Sequence, residues 1–459
     1  MRRSAARWQI LSDERRREFD HILTRFRRHH RVLSRTPETP HNRIMRLASL
    51  SGVSALLASA ALLLTGSGLQ GTLLSYRAAL EGWGDGTIAL LMSSYFGGFL
   101  AGCFAAPHVV RRVGHIRAFA VFAAIAGSAA LLHSLLVTAG VWVLLRFISG
   151  VCFAGLYMII ESWLNEKTGN AERARVISVY RLVDIGASTL GQFLLAANEP
   201  RTALPFAMLT ILICLSLVPV SLTRTVAPPV PEKAELRVGR VYQVSPLAIV
   251  ACFGLGAANG AFWALAPANL ADAGQPTTFV ASFLAAALIG GALLQWPVGR
   301  ISDFLDRRTV LAAGLFAAAL GGFGLAFARS AGNDAMLAAA AIFGAAMFPL
   351  YSICVAHAND FAAPEAFLEV SSGLLLSNAA GSILGPLFAA ALTASLGPRA
   401  LFLFIGSVLL LLGCYALYRM TRRPTTAAEL HDEFVPVPRT TPTVFTLDPR
   451  REPEDAPAR

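Results

Sequence analysis

The sequence predicts an all-α integral membrane protein of twelve transmembrane helices arranged as two six-helix repeats. Three observations predict it: the composition, the length of the apolar runs, and a self-match at a fixed shift. The 459 residues are 55% hydrophobic and only 15% charged, with a mean hydropathy of +0.57, against roughly 45 to 50% apolar and roughly 25% charged in ordinary soluble domains. A soluble globular protein is thereby excluded. Crossing the roughly 30 Å hydrocarbon layer takes about 20 mostly apolar residues in a helix, and only helices or closed barrels satisfy their backbone there. The apolar runs here are long and do not alternate, so helices are expected.

Residues 1–46 are a basic cytoplasmic tail without the apolar core of a cleavable signal peptide, so the first translocated element is expected to be the first helix itself. Within it Phe19, Ile22, Leu23 and Phe26 recur at helical spacing among Arg15, Arg16, Arg17, Arg25, Arg27 and Arg28, a basic amphipathic pattern suited to anionic lipid. A disordered tail, or translation beginning at Met45, fits the composition equally well. Apolar runs bounded by charge, Gly and Pro place helices near 47–70, 87–107, 118–138, 140–164, 174–198 and 204–223, making an N-terminal half of 47–223. A polar connector, 224–244, follows, stiffened by Pro228, Pro229 and Pro231. The C-terminal half, 245–420, holds helices near 246–271, 277–298, 309–328, 335–359, 369–394 and 400–419, and residues 421–459 are expected to be a disordered cytoplasmic tail.

Charge sets the orientation. With the N-terminus cytoplasmic, only Arg77, Arg201, Arg329 and Arg399 of the 39 Lys and Arg residues fall in loops on the other side, while Arg146 and Arg181 lie inside helices. The positive-inside rule therefore puts both termini in the cytoplasm, in a multi-pass protein of the plasma (inner) membrane. The net charge of +11 is then a topology signal, and no nucleic-acid partner is expected. All six cysteines fall in apolar segments, where a soft thiol packs well and oxidants rarely reach, so neither disulfides nor a metal site is expected.

Shifting the sequence on itself by 194 residues pairs Gly150 with Gly344, Leu156-Tyr157 with Leu350-Tyr351, and Asn165 with Asn359. The register continues through Ser178 with Ser372, Asp184 with Asn378, Ser188 with Ser382, and Leu190-Gly191 with Leu384-Gly385. An unbroken register across two helices and their loop is hard to obtain by chance. Parallel repeats of this kind place a substrate near the bilayer midplane, at their interface.

After the eighth predicted helix comes Gly299-Arg300-Ile301-Ser302-Asp303-Phe304-Leu305-Asp306-Arg307-Arg308. A small residue lets helices approach, an acid can accept bonds from a neighbouring helix N-terminus, and arginines bond carboxylates or lipid phosphates. The loop resembles the G-x-x-x-D-(R/K)-x-G-(R/K)-(R/K) signature of the major facilitator superfamily, departing from it at Phe304 and Asp306. Its first-half counterpart, Pro107 to Arg117, keeps Arg112 and Gly114 but has Arg111 where the acid belongs. Arg146-Phe147-Ile148-Ser149-Gly150 looks like the family's R-x-x-x-G motif. Glu161-Ser162-Trp163-Leu164-Asn165, Arg173, Arg175, Gly191-Gln192, Gln295-Trp296-Pro297-Val298-Gly299 and Gly381-Ser382-Ile383-Leu384-Gly385-Pro386 are together similar to the YcaD-like branch, permeases whose substrates are generally unassigned. The resemblance spans roughly 47–420 and implies the major facilitator fold. The family's fifth-helix antiporter signature, G-x-x-x-G-P-x-x-G-G, is not met, because Gly186 and Gly191 are misplaced. The better match, Gly381 to Pro386, is equally well a close helix contact.

Ionisable side chains inside a membrane are costly and mark pathways or pairs. Here they cluster in the fourth and fifth helices: Arg146, Glu161, Arg181 and Asp184. Asp184 or Glu161 could take and release a proton as a carrier alternates, since desolvation and a neighbouring Arg act oppositely on a carboxylate's proton affinity. The alternative is a permanently ionised pair, Glu161 with Arg181 or Arg181 with Asp184 at i,i+3. For Arg146 the resemblance implies coupling or the binding of an anionic substrate, and bridging to backbone carbonyls is the alternative. The family lines its cavity from the first, fourth, seventh and tenth helices, which implies Gln70, Tyr157, Asn259, Phe262, Trp263 and Tyr351 as substrate-cavity candidates, joined by Asn378 as the partner position of Asp184. Aromatics with few polar atoms suit an amphiphilic or ring-bearing ligand. Arg112, Gly114, Gly299, Asp303, Arg307 and Arg308 are the candidates for cytoplasmic gate loops, and His357, Asn359 and Asp360 are expected as cap and gate residues.

No phosphate-binding Gly-Lys-Ser/Thr loop, HExxH or nucleophile elbow occurs, so neither catalysis nor a cofactor is expected, and energy should come from an ion gradient. The reading is a secondary active permease of a small solute, proton-coupled, alternating in access and acting as a monomer in the lipid bilayer. A transporter-like sensor or scaffold signalling through its cytoplasmic tails is the alternative. Deleting residues 1–40 discriminates: a carrier still moves solute, whereas a sensor loses its output.

Overall fold

A computed structural model describes residues 40–168, 172–222, 238–363, 366–422 and 434–448. The amphipathic stretch expected before residue 40 and the Pro-rich part of the connector lie outside these residues. A first unit, Met1–Ser51, is helical where it is described, and the bundle belongs to the second, Gly52–Arg459. The helices are α1 (Pro40–Leu80), α2 (Asp85–Val113), α3 (His115–Leu135), α4 (Ala139–Lys167), α5 (Arg173–Ala196), α6 (Leu204–Ser221), the short α7 (Val238–Val244), α8 (Pro246–Asp272), α9 (Thr277–Phe304), α10 (Arg307–Ala328), α11 (Asn333–Met347), α12 (Leu350–Asn359), α13 (Phe367–Leu396) and α14 (Ala400–Met420).

Among the described residues, eleven helical segments are long and apolar enough to cross a membrane, the first being Val53–Leu80 of α1. The 24-residue α5 is not one of them, because Arg173, Arg175, Arg181, Asp184 and Gln192 lower its hydropathy. Three helices outrun expectation most: α1 passes 70 to end at Leu80, α2 continues to Val113 and α9 to Phe304. The expected spans stopped where polar residues, Gly or Pro began, but a helix keeps its backbone bonds beyond the apolar layer. The single helix expected over 335–359 is instead broken into α11 and α12 at Phe348-Pro349. Proline offers no N–H, and its ring crowds the carbonyl four residues back.

Helices approach most closely through glycine. A Cβ at Gly150 of α4 would run into the backbone of Tyr95 and Phe99 in α2, and one at Gly344 of α11, its counterpart under the 194-residue shift, into that of Ala287 in α9. The same holds for Gly191 of α5 against Thr65 of α1, and for Gly385 of α13 against Ala257 of α8. The Gly381 to Pro386 stretch is therefore a close helix contact.

Short turns reverse the chain between helices. Gly114 joins α2 to α3 at a φ of 84°, where a side chain would be strained. These reversals gather Arg111, Arg112, Arg117, Arg300, Arg307 and Arg308 at one end of the bundle, the basic end. At the opposite end, the helices before residue 223 are bonded directly to those after 237. Ser75 Oγ donates to Ala264 O at 2.6 Å, the Tyr76 hydroxyl to Gln275 O at 2.9 Å, and Ser93 Oγ to Ile383 O at 2.7 Å.

Candidate functional site

Between the two sets of helices lies a cavity of about 550 Å³, walled by α1, α2, α4, α5, α8, α9 and α13. Tyr95, Phe96, Phe99, Tyr157, Trp263 and Phe348 give it an aromatic lining, and Arg146, Arg181, Asp184, Gln192, Asn259 and Asn378 its polar groups.

Of the four charged candidates, three reach this cavity. Arg181 pairs with Asp184 one helical turn on, and also donates to Gln295 Oε1 of α9 at 3.5 Å, linking the two sets. Arg146 donates to Gln70 Oε1 at 2.6 Å and lies 4.2 Å above the centre of the Tyr95 ring, so its charge meets an amide and a π-face, and not the backbone carbonyls considered above. Glu161 is fully buried outside the cavity lining. The anticipated Glu161–Arg181 pair does not form. Adjacent residues on a helix point about 100° apart, so Tyr180 takes the Glu161 side, donating at 3.2 Å, while Arg181 turns to the cavity.

The same rotation sorts the other candidates. Trp263 and Asn259, four residues apart, share a face, line the cavity and bond to each other at 3.3 Å. Phe262 points away and packs against Phe283 and Phe343, with ring centres 5.8 and 5.2 Å off, which corrects its expected place in the wall. Gln70 stands behind Arg146, and its Nε2 donates to Ser149 Oγ at 3.4 Å. Tyr351 is buried off the lining. Tyr157 and Asn378 do line the cavity, and Asn378 donates to Cys252 O at 3.0 Å.

At the basic end, Arg307 bridges Asp303 at 3.4 Å and Asp360 at 3.2 Å, and Asn359 donates to Ser371 Oγ at 3.2 Å. Asp306 caps α10 by accepting from the Arg308 amide at 3.0 Å. Burial raises the Asp306 carboxyl, but its bonds to the Arg308 side chain and amide more than offset this and hold it below the usual carboxylate value. Arg112 is exposed at the end of α2.

The largest departure from expectation is the C-terminal tail. Within the stretch expected to be disordered, residues 434–448 run into the bundle and form a 3₁₀ helix, Pro442–Leu447. The Phe434 N–H donates to Asp303 Oδ1 at 3.0 Å, and its ring fills the notch left by Gly299. The Val437 N–H donates to Ser352 Oγ at 3.3 Å, the Arg439 guanidinium sits 5.9 and 6.0 Å from the Phe348 and Tyr351 ring centres, and the Thr441 hydroxyl donates to Glu161. Val444, Phe445 and Leu447 are fully buried, and Arg439 to Thr443 form one wall of the cavity. Sequence reasoning missed Tyr95, Arg439 and Thr441. The signal for the tail was the run of Phe434, Val435, Val437, Val444, Phe445 and Leu447 in an otherwise polar segment. Gln192, quoted only within a motif, is buried where it accepts from Thr72 Oγ1 at 2.6 Å.

Solved structures share this architecture. A mutant of the nucleoside transporter NupG matches with a TM-score of 0.68 at 13% identity, over 81% of this chain and 100% of that one. A bacterial homolog to the human lysosomal transporter Spinster, inward-facing and unoccupied, matches with a TM-score of 0.61 at 15% identity, over 88% and 99%. The fold is thus that of a helical membrane transporter. The profile of the Major Facilitator Superfamily matches residues 246–450. A protein named Uncharacterized MFS-type transporter YcaD, from Escherichia coli O7:K1 (strain IAI39 / ExPEC), is 30% identical over 366 residues, 77% of this chain and 92% of that protein. The chain belongs to the major facilitator superfamily and is YcaD-like.

Proposed function

We propose that the chain is a secondary active permease of a small amphiphilic or ring-bearing solute, proton-coupled and working by alternating access. The observation that carries this reading is the cavity itself. It lies between the two sets of helices, the sets are bonded directly beyond its far end and by Arg181 to Gln295 beside it, and Asp184 is the one carboxylate in its lining among the described residues. Protonating Asp184 would release Arg181 toward Gln295 or a substrate anion, and deprotonating it would restore the pair, which ties a proton to a rearrangement between the sets.

The finer architecture belongs to the same proposal. α5 counts as the twelfth span, because its Arg181 and Asp184 satisfy each other and its Gln192 bonds to Thr72 within the bundle. The glycine approaches that recur under the 194-residue shift support six-helix repeats over 47–223 and 245–420. The basic end is read as cytoplasmic, with both termini there, in an inner-membrane monomer.

A ligand screen by thermal shift supplies the substrate, since a ligand stabilises the native state by its occupancy. Asp184→Asn in proteoliposomes is then expected to lose gradient-driven uptake while keeping solute exchange. Unchanged gradient-driven uptake sinks the coupling role.

A further inference from the structure

We infer that residues 434–448 are an intramolecular ligand of this carrier, bound at a site formed by α4, α9 and α12, and that they must leave before the basic end can close. The docking claim stands on the contacts alone; the closure claim rests on the alternating-access reading.

The site has the features of peptide recognition. Two backbone amides of the tail, those of Phe434 and Val437, are received by side-chain oxygens of Asp303 and Ser352, which holds an extended segment whatever its sequence. Side chains supply the selectivity. The Phe434 ring occupies space that exists only because residue 299 has no Cβ. The Thr441 hydroxyl meets Glu161, which also accepts from the Tyr180 hydroxyl. Arg439 sits beside the rings of Phe348 and Tyr351, at the break between α11 and α12.

Position makes this ligand inhibitory. Glu161 belongs to the helices before residue 223, whereas Gly299, Asp303, Phe348 and Ser352 belong to those after 237, so the tail spans the gap between the sets. Closing the basic end requires that gap to narrow, and it is filled with buried side chains. Arg439 also adds a charge to the cavity wall; desolvation first, then Arg181, lowers its pKa to about 10, which leaves it cationic near neutrality. A substrate therefore shares the cavity with the tail or displaces it.

The test uses the full chain, a chain ending at Arg422, and a fluorescently labelled peptide of residues 434–448. Anisotropy should show saturable binding to the truncated protein and at least tenfold weaker binding to the full chain, whose own tail competes. Peptides carrying Phe434→Ala or Thr441→Val should each bind about tenfold more weakly; these changes lie in the peptide, so protein folding does not enter. Equal binding to both proteins, or indifference to both substitutions, overturns the docking site. Spin labels at Arg117→Cys and Arg300→Cys, with the reactive native cysteines replaced, then report the basic end. A shorter distance should appear on truncation and vanish when peptide is added. Selective peptide binding with an unmoved distance keeps the docking site and overturns closure by the tail, whereas the alternating-access reading falls only if gradient-driven uptake by the chain ending at Arg422 is absent.

Discussion

The two ends of the bundle are fastened by different chemistry. Opposite the basic end, the sets meet directly, and each fastening is a neutral hydroxyl on a backbone carbonyl: Ser75 on Ala264, Tyr76 on Gln275, Ser93 on Ile383. Such bonds are worth about 1 kcal/mol each, and their carbonyls belong mostly to helices that stay intact when the hydroxyl leaves. Toward the basic end, past the Arg181–Gln295 bond, the fastening runs through a third element, the tail, and involves the acidic side chains Asp303 and Glu161. One end is a seam of separate bonds; the other is a socket filled by one continuous segment.

Substitutions can break or sharpen that contrast. The largest effect is expected from Gly299→Leu, which fills the notch under Phe434. Hydrogen exchange of the 434–448 amides should rise about 100-fold or more, toward free-peptide rates, and Phe434→Ala should move it the same way from the other side of the contact. Glu161→Gln keeps one acceptor oxygen but puts an amide NH2 where Tyr180 or Thr441 donates, so the tail amides should exchange about tenfold faster, a loss of roughly 1.4 kcal/mol. Unchanged protection would mean the socket does not depend on its acid. Ser75→Ala and Ser93→Ala should each cost about 1 kcal/mol in thermal unfolding and leave tail exchange untouched. Asp306→Ala touches neither fastening and should cost about 1 kcal/mol through loss of the α10 cap. Because the Asp306 carboxyl is held low in the folded chain, its contribution is present above its ordinary value of about 3.9 and fades as pH falls through the folded value. The wild-type advantage should therefore be full at pH 6 and shrink toward pH 3.

Most of the bundle was legible because apolar run length is a one-dimensional property: a run near 20 residues becomes a helix whatever surrounds it. The break at Pro349 was missed by run length, although a helix-interior proline disrupts its backbone ladder. Facing was harder. Phe262 and Trp263 are neighbours of similar type, and only the packing against Phe283 and Phe343 decides which one meets the cavity. Partner choice was harder still: Arg181 had two carboxylates within reach, and the orientation of Tyr180 settled it. The tail was least legible, because its fold depends on a socket assembled from residues up to 280 positions away.

A consequence for biogenesis follows from α5. Each Arg or Asp near the centre of a lone inserting helix costs about 2.5 to 3.5 kcal/mol at the translocon, so a segment carrying Arg181 and Asp184 partitions poorly by itself. The Arg181–Asp184 pair offsets part of that cost within α5, and segments synthesised earlier receive its other polar groups: Thr72 for Gln192, Glu161 for Tyr180, and the groove at Gly68 that receives Ser188. If α5 is the twelfth span, it is expected to integrate as a guest of α1 and α4, and bulky replacements at Gly68 should lower membrane yield before they alter transport.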